Sequence, residues 1–177
     1  SVLCAEALAQ TEPEGRLILR IEDIDITRCR PEFEAALHDD LAWLGVRFQG
    51  PVWRQSERTA IYREALDRLI ALNVVYRCFR TRSELAAASA SAPHGPEAAP
   101  APGPHPAEEE AALLTEGRPY AWRLSSAALA CRPELRGLIW RDHRTGNDHN
   151  VDPAAFGDPI LARKDVPTSY HLSSVVD

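Results

Sequence analysis

Three carboxylates stand within four residues at Glu22, Asp23 and Asp25, directly after the apolar run Leu17-Ile18-Leu19-Arg20-Ile21. A run of this kind, preceded by the turn signal Glu14-Gly15, predicts a buried strand. In an open α/β sheet, ligands collect outside the carboxyl ends of the strands, and Glu22 is the first side chain past this one. A carboxylate there can accept charge-assisted hydrogen bonds from a substrate ammonium, which are stronger than neutral ones. The same acids also suit a solvated turn in which Asp23 or Asp25 caps the next element. The cluster by itself does not separate the two readings.

A second set of residues is cationic. From Arg54 to Arg82 seven arginines face Glu57, Glu64 and Asp67, a local excess of four positive charges in a chain of formal net charge −6. Such a stretch can meet phosphates, or it can be a solvated helix face with ordinary ion pairs. The cysteines Cys4, Cys29, Cys78 and Cys131 lie far apart and form no C-x-x-C pair, the pattern of a reduced compartment rather than a disulfide framework.

These groups need elements to position them. The length of 177 residues, 45% hydrophobic and 26% charged, predicts one globular domain, or one domain with an insert, and excludes a disordered tail or a fibrous protein. No run approaches the roughly 18 to 20 apolar residues of a membrane helix, and no basic-then-apolar leader opens the sequence, so a cytoplasmic protein is expected. The negative net charge argues against a general nucleic-acid-coating protein while leaving room for a local basic face. The sequence contains no Met, and Lys164 is the single lysine beside the arginines. The first observation predicts a fragment; the second reflects codon composition more than guanidinium chemistry.

After Arg30-Pro31, Phe33, Ala36, Leu37, Leu41 and Leu44 recur at helical spacing until Gly45 stops the pattern. A second helix is expected from Ser56 to Asn73, with Ile61, Ala65, Leu69 and Leu72 on one stripe and Glu64 four before Arg68. From Val74 to Phe79 the chain reads as a strand. Strand, helix, helix, strand predicts an α/β layer with a parallel sheet. Over residues 86–117, six prolines between Pro93 and Pro106 and eleven alanines predict a mobile insert. Short strands are expected again over 120–124, 135–141 and 159–163. The domain division expected is 1–82, an Ala/Pro-rich insert at 83–118, and 119–177.

Several ordered segments together resemble a known family. Leu17-Ile18-Leu19-Arg20-Ile21-Glu22-Asp23-Ile24-Asp25-Ile26-Thr27-Arg28 is similar to the R-I-E-D-x-D-x-x-R segment of the class I aminoacyl-tRNA synthetases for glutamate. Leu41-Ala42-Trp43-Leu44-Gly45-Val46, then Trp53-Arg54-Gln55-Ser56-Glu57-Arg58 with Tyr62-Arg63, resemble that family's W-L-G and Q-S-x-R stretches in the right order. Ser169-Tyr170-His171-Leu172-Ser173-Ser174-Val175-Val176-Asp177 resembles its Y-x-L-A-x-V-V-D segment. Within the family, Cys78-Phe79-Arg80-Thr81-Arg82 and the segment from Gly157 to Tyr170 are similar to the branch that attaches glutamate to the queuosine base of tRNA(Asp). The other branch charges tRNA(Glu).

The resemblance implies a Rossmann-like catalytic domain with an inserted, partly irregular subdomain. It implies ATP and Mg2+, L-glutamate and queuosine-bearing tRNA(Asp) as ligands and partners, with no membrane and a monomeric state. Glu22 would contact the amino group of glutamate, while Tyr170 and Ser174 would line the amino-acid pocket. Tyr170 could instead be a half-buried aromatic with a wetted hydroxyl. The HIGH and KMSKS signatures of the class are absent, so no catalytic residue is expected within these 177 residues, and this piece should not catalyse alone. That branch often binds zinc through a C-x-C pair with a later tyrosine and cysteine, but Arg80 stands at the second cysteine. Cys78 with His94 or His105 does not supply four donors in fixed geometry, so no zinc is expected. A degenerate RNA-binding module that kept the scaffold and lost the chemistry is the reading from a different class.

Overall fold

The computed structural model describes residues 2–24, 29–81, 83–85, 101–163, 166 and 168–177, and the chain divides into two compact units, Ser1–Ala60 and Ile61–Asp177. Asp25, Arg82, His94, Lys164 and the insert residues 86–100 lie outside the described residues.

In the first unit the apolar run ends in β1 (Arg20–Ile21), parallel to β2 (Trp53–Arg54), with Arg20 opposite Trp53 and Ile21 opposite Arg54. Backbone hydrogen bonds continue the pairing upstream: Trp53 N donates to Leu19 O at 2.9 Å and Gln49 N to Leu17 O at 2.8 Å. Sequence predicts a buried strand here, but both residues of β1 are only half-buried, because among the described residues β2 is its only strand partner. The connection is α2 (Pro31–Trp43), with Pro31 in the first turn, where its missing N–H leaves no helical bond unmade, and with Glu32 and Glu34 facing the positive end of the helix dipole. It stops at Gly45, whose φ of +73° is free to glycine and strained for other residues. Gly45 N then donates to Ala42 O and Val46 N to Leu41 O, and Leu41 and Val46 are buried. A helix that the sequence reading did not foresee, α1 (Val2–Thr11), precedes β1.

The expected helix from Ser56 divides into a 3-10 turn, Gln55–Arg58, and α3 (Thr59–Ala71). Tyr62 and Leu66 of α3 form the core of the second unit with Leu161, Ala162 and Leu172. The expectation of one parallel sheet is corrected here. β3 (Val75–Cys78) pairs antiparallel with β4 (Ala121–Leu124), and β4 antiparallel with β7 (Ile160–Arg163). Tyr76 and Cys78 point to the buried face, while Arg77 on the opposite face lies over Trp122 at 4.7 Å and Tyr120 at 5.5 Å. An antiparallel sheet tolerates such a half-wet face, whereas all-parallel sheets are covered on both sides. The unit also holds the hairpin β5 (Ile139–Arg141) and β6 (Asp148–Asn150) and closes on a short helix, Tyr170–Val176.

Composition predicts no fixed conformation over 86–117, yet residues 107–115 form α4 (Ala107–Thr115), with Glu108, Glu109 and Glu110 in its first turn. The side chains of Arg77, Phe79 and Arg80 hold this end of the insert. Arg80 Nη1 donates to the carbonyls of Pro102 at 3.0 Å and Gly103 at 3.1 Å. Arg77 Nη1 donates to Glu110 Oε1 at 2.7 Å, and Phe79 meets the His105 ring edge-on at 5.8 Å. Among the described residues no helix is long and apolar enough to cross a membrane.

Candidate functional site

A cleft of about 470 Å³ opens in the first unit beyond the end of β1. Glu22 stands at its lip with a side chain 46% exposed and one oxygen, Oε1, 2.8 Å from Arg20 Nη2. The thiol of Cys29 donates to the Glu22 carbonyl at 3.1 Å, which ties the return of the chain to the acidic turn.

Asp23 behaves differently from its neighbour. Its Oδ1 accepts the Ser56 N–H at 2.9 Å and its Oδ2 the Ser56 hydroxyl at 2.7 Å. Asp23 therefore caps the Gln55–Arg58 turn, 33 residues away, and not the next element, since α2 has no side-chain cap. Arg54 forks onto Glu34, Nη1 donating to Oε2 at 2.9 Å and Nη2 to Oε1, and stands 3.8 Å from Asp23 Oδ2. The result is a staple that joins the end of β1, α2 and β2, and Asp23, Glu34 and Arg54 line the same cleft as Glu22. Sequence reasoning noted Arg54 and Ser56 as motif residues but missed Glu34. Only the helical phase of α2 brings that side chain to Arg54.

The staple sets the charge states. Burial pushes the Asp23 carboxyl up, but the Ser56 hydroxyl and amide outweigh it and hold the group below its usual range. Arg54 holds the Glu34 carboxyl low in the same way, and Glu34 raises the Arg54 guanidinium. Because both carboxyls ionise at lower pH in the folded state, their stabilisation is complete above the ordinary carboxylate range near pH 4 and is lost as pH falls through the folded values. Urea midpoints measured from pH 7 down to pH 3 should therefore show an acid limb that flattens in Asp23→Asn and Glu34→Gln. An acid limb identical in wild type and both variants would show that the staple does not stabilise the fold.

The other two expected site residues lie in the second unit. Ser169 caps the final helix: its hydroxyl donates to Ile160 O at 2.6 Å and accepts the Leu172 N–H at 3.4 Å. Leu172 and Ser173 are thereby buried. Tyr170 and Ser174, one turn apart, are left exposed. Tyr170 is 62% exposed, so the half-buried packing role considered for it does not hold. Among the described residues Ser174 Oγ donates to His171 O at 3.5 Å.

Residues 2–177 match the family described as tRNA synthetases class I (E and Q), catalytic domain. The chain belongs to this family. It is 42% identical over 176 residues to the glutamyl-Q tRNA(Asp) synthetase of Rhodobacter capsulatus, covering 92% of this chain and 60% of that protein. It is 37% identical to glutamate–tRNA ligase 2 of Methylorubrum populi, covering 97% of this chain and 37% of the relative. Among solved structures, the glutamate tRNA ligase from Elizabethkingia meningosepticum in complex with its amino acid superposes with a TM-score of 0.71 at 26% identity, covering 99% of this chain and 37% of that one. The glutamate-tRNA synthetase of Elizabethkingia anophelis gives 0.73 at 26% identity, over 38% of its chain. The chain thus spans 60% or less of the length of these relatives. The Rossmann-like class I catalytic fold is shared with them.

Two further sequence features of the family member take structural form. Cys78 is 2% exposed and in no disulfide, Arg80 is spent on two carbonyls, and among the described residues no three His, Cys, Asp or Glu side chains are grouped so that they could hold a metal ion. These residues do not fit a zinc ion. Of the arginines between 54 and 82, Arg54, Arg68 and Arg77 pair with Glu34, Glu64 and Glu110, and Arg58 lies over the Trp53 ring at 4.2 Å. Much of the basic stretch is therefore engaged in the protein's own contacts.

Proposed function

We propose that the full-length protein activates glutamate with ATP and transfers it to the queuosine base of tRNA(Asp), as a monomeric cytoplasmic enzyme. The observation that carries this reading is the 42% identity to a glutamyl-Q tRNA(Asp) synthetase over 92% of the chain, above the 34 to 38% of the glutamate–tRNA ligases it also resembles. The cleft beyond β1 supports it, because a carboxylate held at a strand end suits an amino-acid ammonium. Four free thiols fit a reducing compartment.

Glu22 would accept the ammonium of glutamate, with Arg20 keeping the carboxylate aimed along the lip. The Asp23–Ser56 and Arg54–Glu34 contacts would hold that lip rigid, so that little is lost in ordering it when substrate binds. Tyr170 and Ser174, both exposed on the final helix, are by resemblance the further candidates for contact with the amino acid. Mg2+ would travel on the nucleotide phosphates, and no residue of this chain is assigned to it. The reaction joins the glutamate carboxylate to the α-phosphate of ATP with loss of pyrophosphate. The acyl group then passes to a hydroxyl of queuosine with release of AMP.

The test is charging of the full-length protein with labelled glutamate, offered queuosine-containing tRNA(Asp), the same tRNA without queuosine, and tRNA(Glu). Label on the first alone is expected. Label on tRNA(Glu) would make the protein a glutamyl-tRNA synthetase, and binding of RNA without any label would make it a degenerate RNA-binding module.

A further inference from the structure

The β5–β6 hairpin presents a flat aromatic surface that the proposed chemistry leaves unused. Trp140 and His149 are directly opposed in the antiparallel register, and their rings stack at 4.6 Å with 19° between planes. Trp140 nevertheless remains 49% exposed, beside the exposed Leu138 and Ile139. Among the described residues no third strand joins this pair. The indole is thus stacked against one partner while about half of the residue stays exposed, which makes it a preorganised platform.

The charges around it choose the occupant. Asp142 is consumed by the turn, accepting the Arg144 N–H at 2.8 Å and the Thr145 N–H at 3.4 Å. Asp148 faces Arg141, 3.9 Å from its Nε. Among the described residues no ion pair engages Arg136 or Arg144, both exposed at the two ends of the hairpin. A rigid stacking surface between unpaired guanidinium groups, in a chain of net charge −6, matches a ligand that is aromatic and polyanionic at once. Every nucleobase has a π-face, and stacking on an aromatic side chain tolerates any sequence.

We propose that the β5–β6 hairpin is an RNA contact in which Trp140, braced by His149, stacks on an unpaired nucleobase of the bound RNA while Arg136 and Arg144 meet flanking phosphates. This rests on the reading of tRNA as the protein's partner and adds a recognition element to it.

The test uses the full-length protein, labelled tRNA(Asp) and a blunt RNA duplex without unpaired bases, with binding followed by anisotropy across a salt series. Trp140→Ala is expected to weaken tRNA binding about tenfold without changing the salt slope, and Trp140→Phe to keep most of the affinity. Arg144→Ala is expected to weaken both RNAs and to lower the salt slope by about one. Full tRNA affinity in Trp140→Ala overturns the platform while leaving tRNA as the partner. Wild-type protein that binds neither RNA removes the platform and the tRNA reading together. Unchanged RNA affinity with lost self-association in sedimentation would assign the hairpin to a second copy of the chain, and so also overturns it. Should Trp140→Ala melt early, Arg144→Ala at the exposed turn decides, an unchanged salt slope counting against the proposal.

Discussion

On the function proposed above, Glu22→Gln in the full-length protein is expected to raise the KM for glutamate about 10- to 150-fold and to change kcat much less. A hydrogen bond to a charged group contributes about 1.5 to 3 kcal/mol, and the amide keeps the shape of the carboxylate while losing its charge. The ammonium neither forms nor breaks a bond and keeps its charge through adenylate formation, so its contact acts on substrate and transition state alike, which is the signature of uniform binding. The side chain is about half exposed, and its pair with Arg20 spans only two residues, so the variant should melt as wild type does. Steady-state kinetics at saturating ATP read the effect directly. A KM within twofold of wild type would remove Glu22 from the pocket.

Asp158→Ala destabilises the second unit by about 3 to 5 kcal/mol, because it leaves several buried donors unpaired at once. Asp158 is 8% exposed. Its Oδ1 accepts the Ser126 N–H at 2.8 Å and the Ser126 hydroxyl at 2.7 Å, and its Oδ2 the Tyr76 hydroxyl at 2.7 Å. Burial first, then the bond to Asp158, pushes the Tyr76 phenol well above its ordinary value, so it stays a neutral donor to alkaline pH. The network ties β3 to the start of α5 (Ser126–Ala130) and to the approach to β7. Arg123 Nη1 is bound to the Asp158 carbonyl at 2.6 Å and keeps that contact in the variant. Asp158→Asn retains one acceptor oxygen and should cost about 1 to 3 kcal/mol. Urea unfolding of the two variants gives the comparison, and equal midpoints with wild type would show that the three bonds are not formed together.

Much of the local structure was legible because it depends on neighbours in sequence. The stripe from Phe33 to Leu44 and the stop at Gly45 became α2, and the apolar stripe after Ser56 became α3 behind one 3-10 turn. Each short strand expected between residues 74 and 163 is present within a few residues of its predicted place. Composition misreads the described part of the expected mobile insert, 101–117, because it sees only prolines and alanines. What orders this stretch is Arg77 of β3 and Arg80 just after it reaching across to it.

The sequence alone determined that a carboxylate would stand where the first strand ends, and its ordered motifs were enough to indicate the family. Both follow from residue type and spacing along one chain. Only the tertiary structure decided which acid stays exposed and which is bound up within the fold. Glu22 and Asp23 are adjacent and chemically alike, yet Asp23 is consumed by Ser56 while Glu22 remains at the lip. It also decided that β3 runs antiparallel in a sheet of its own. Strand pairing and hydrogen bonding act through space between residues tens of positions apart, and spacing along the chain carries no record of which distant partner arrives.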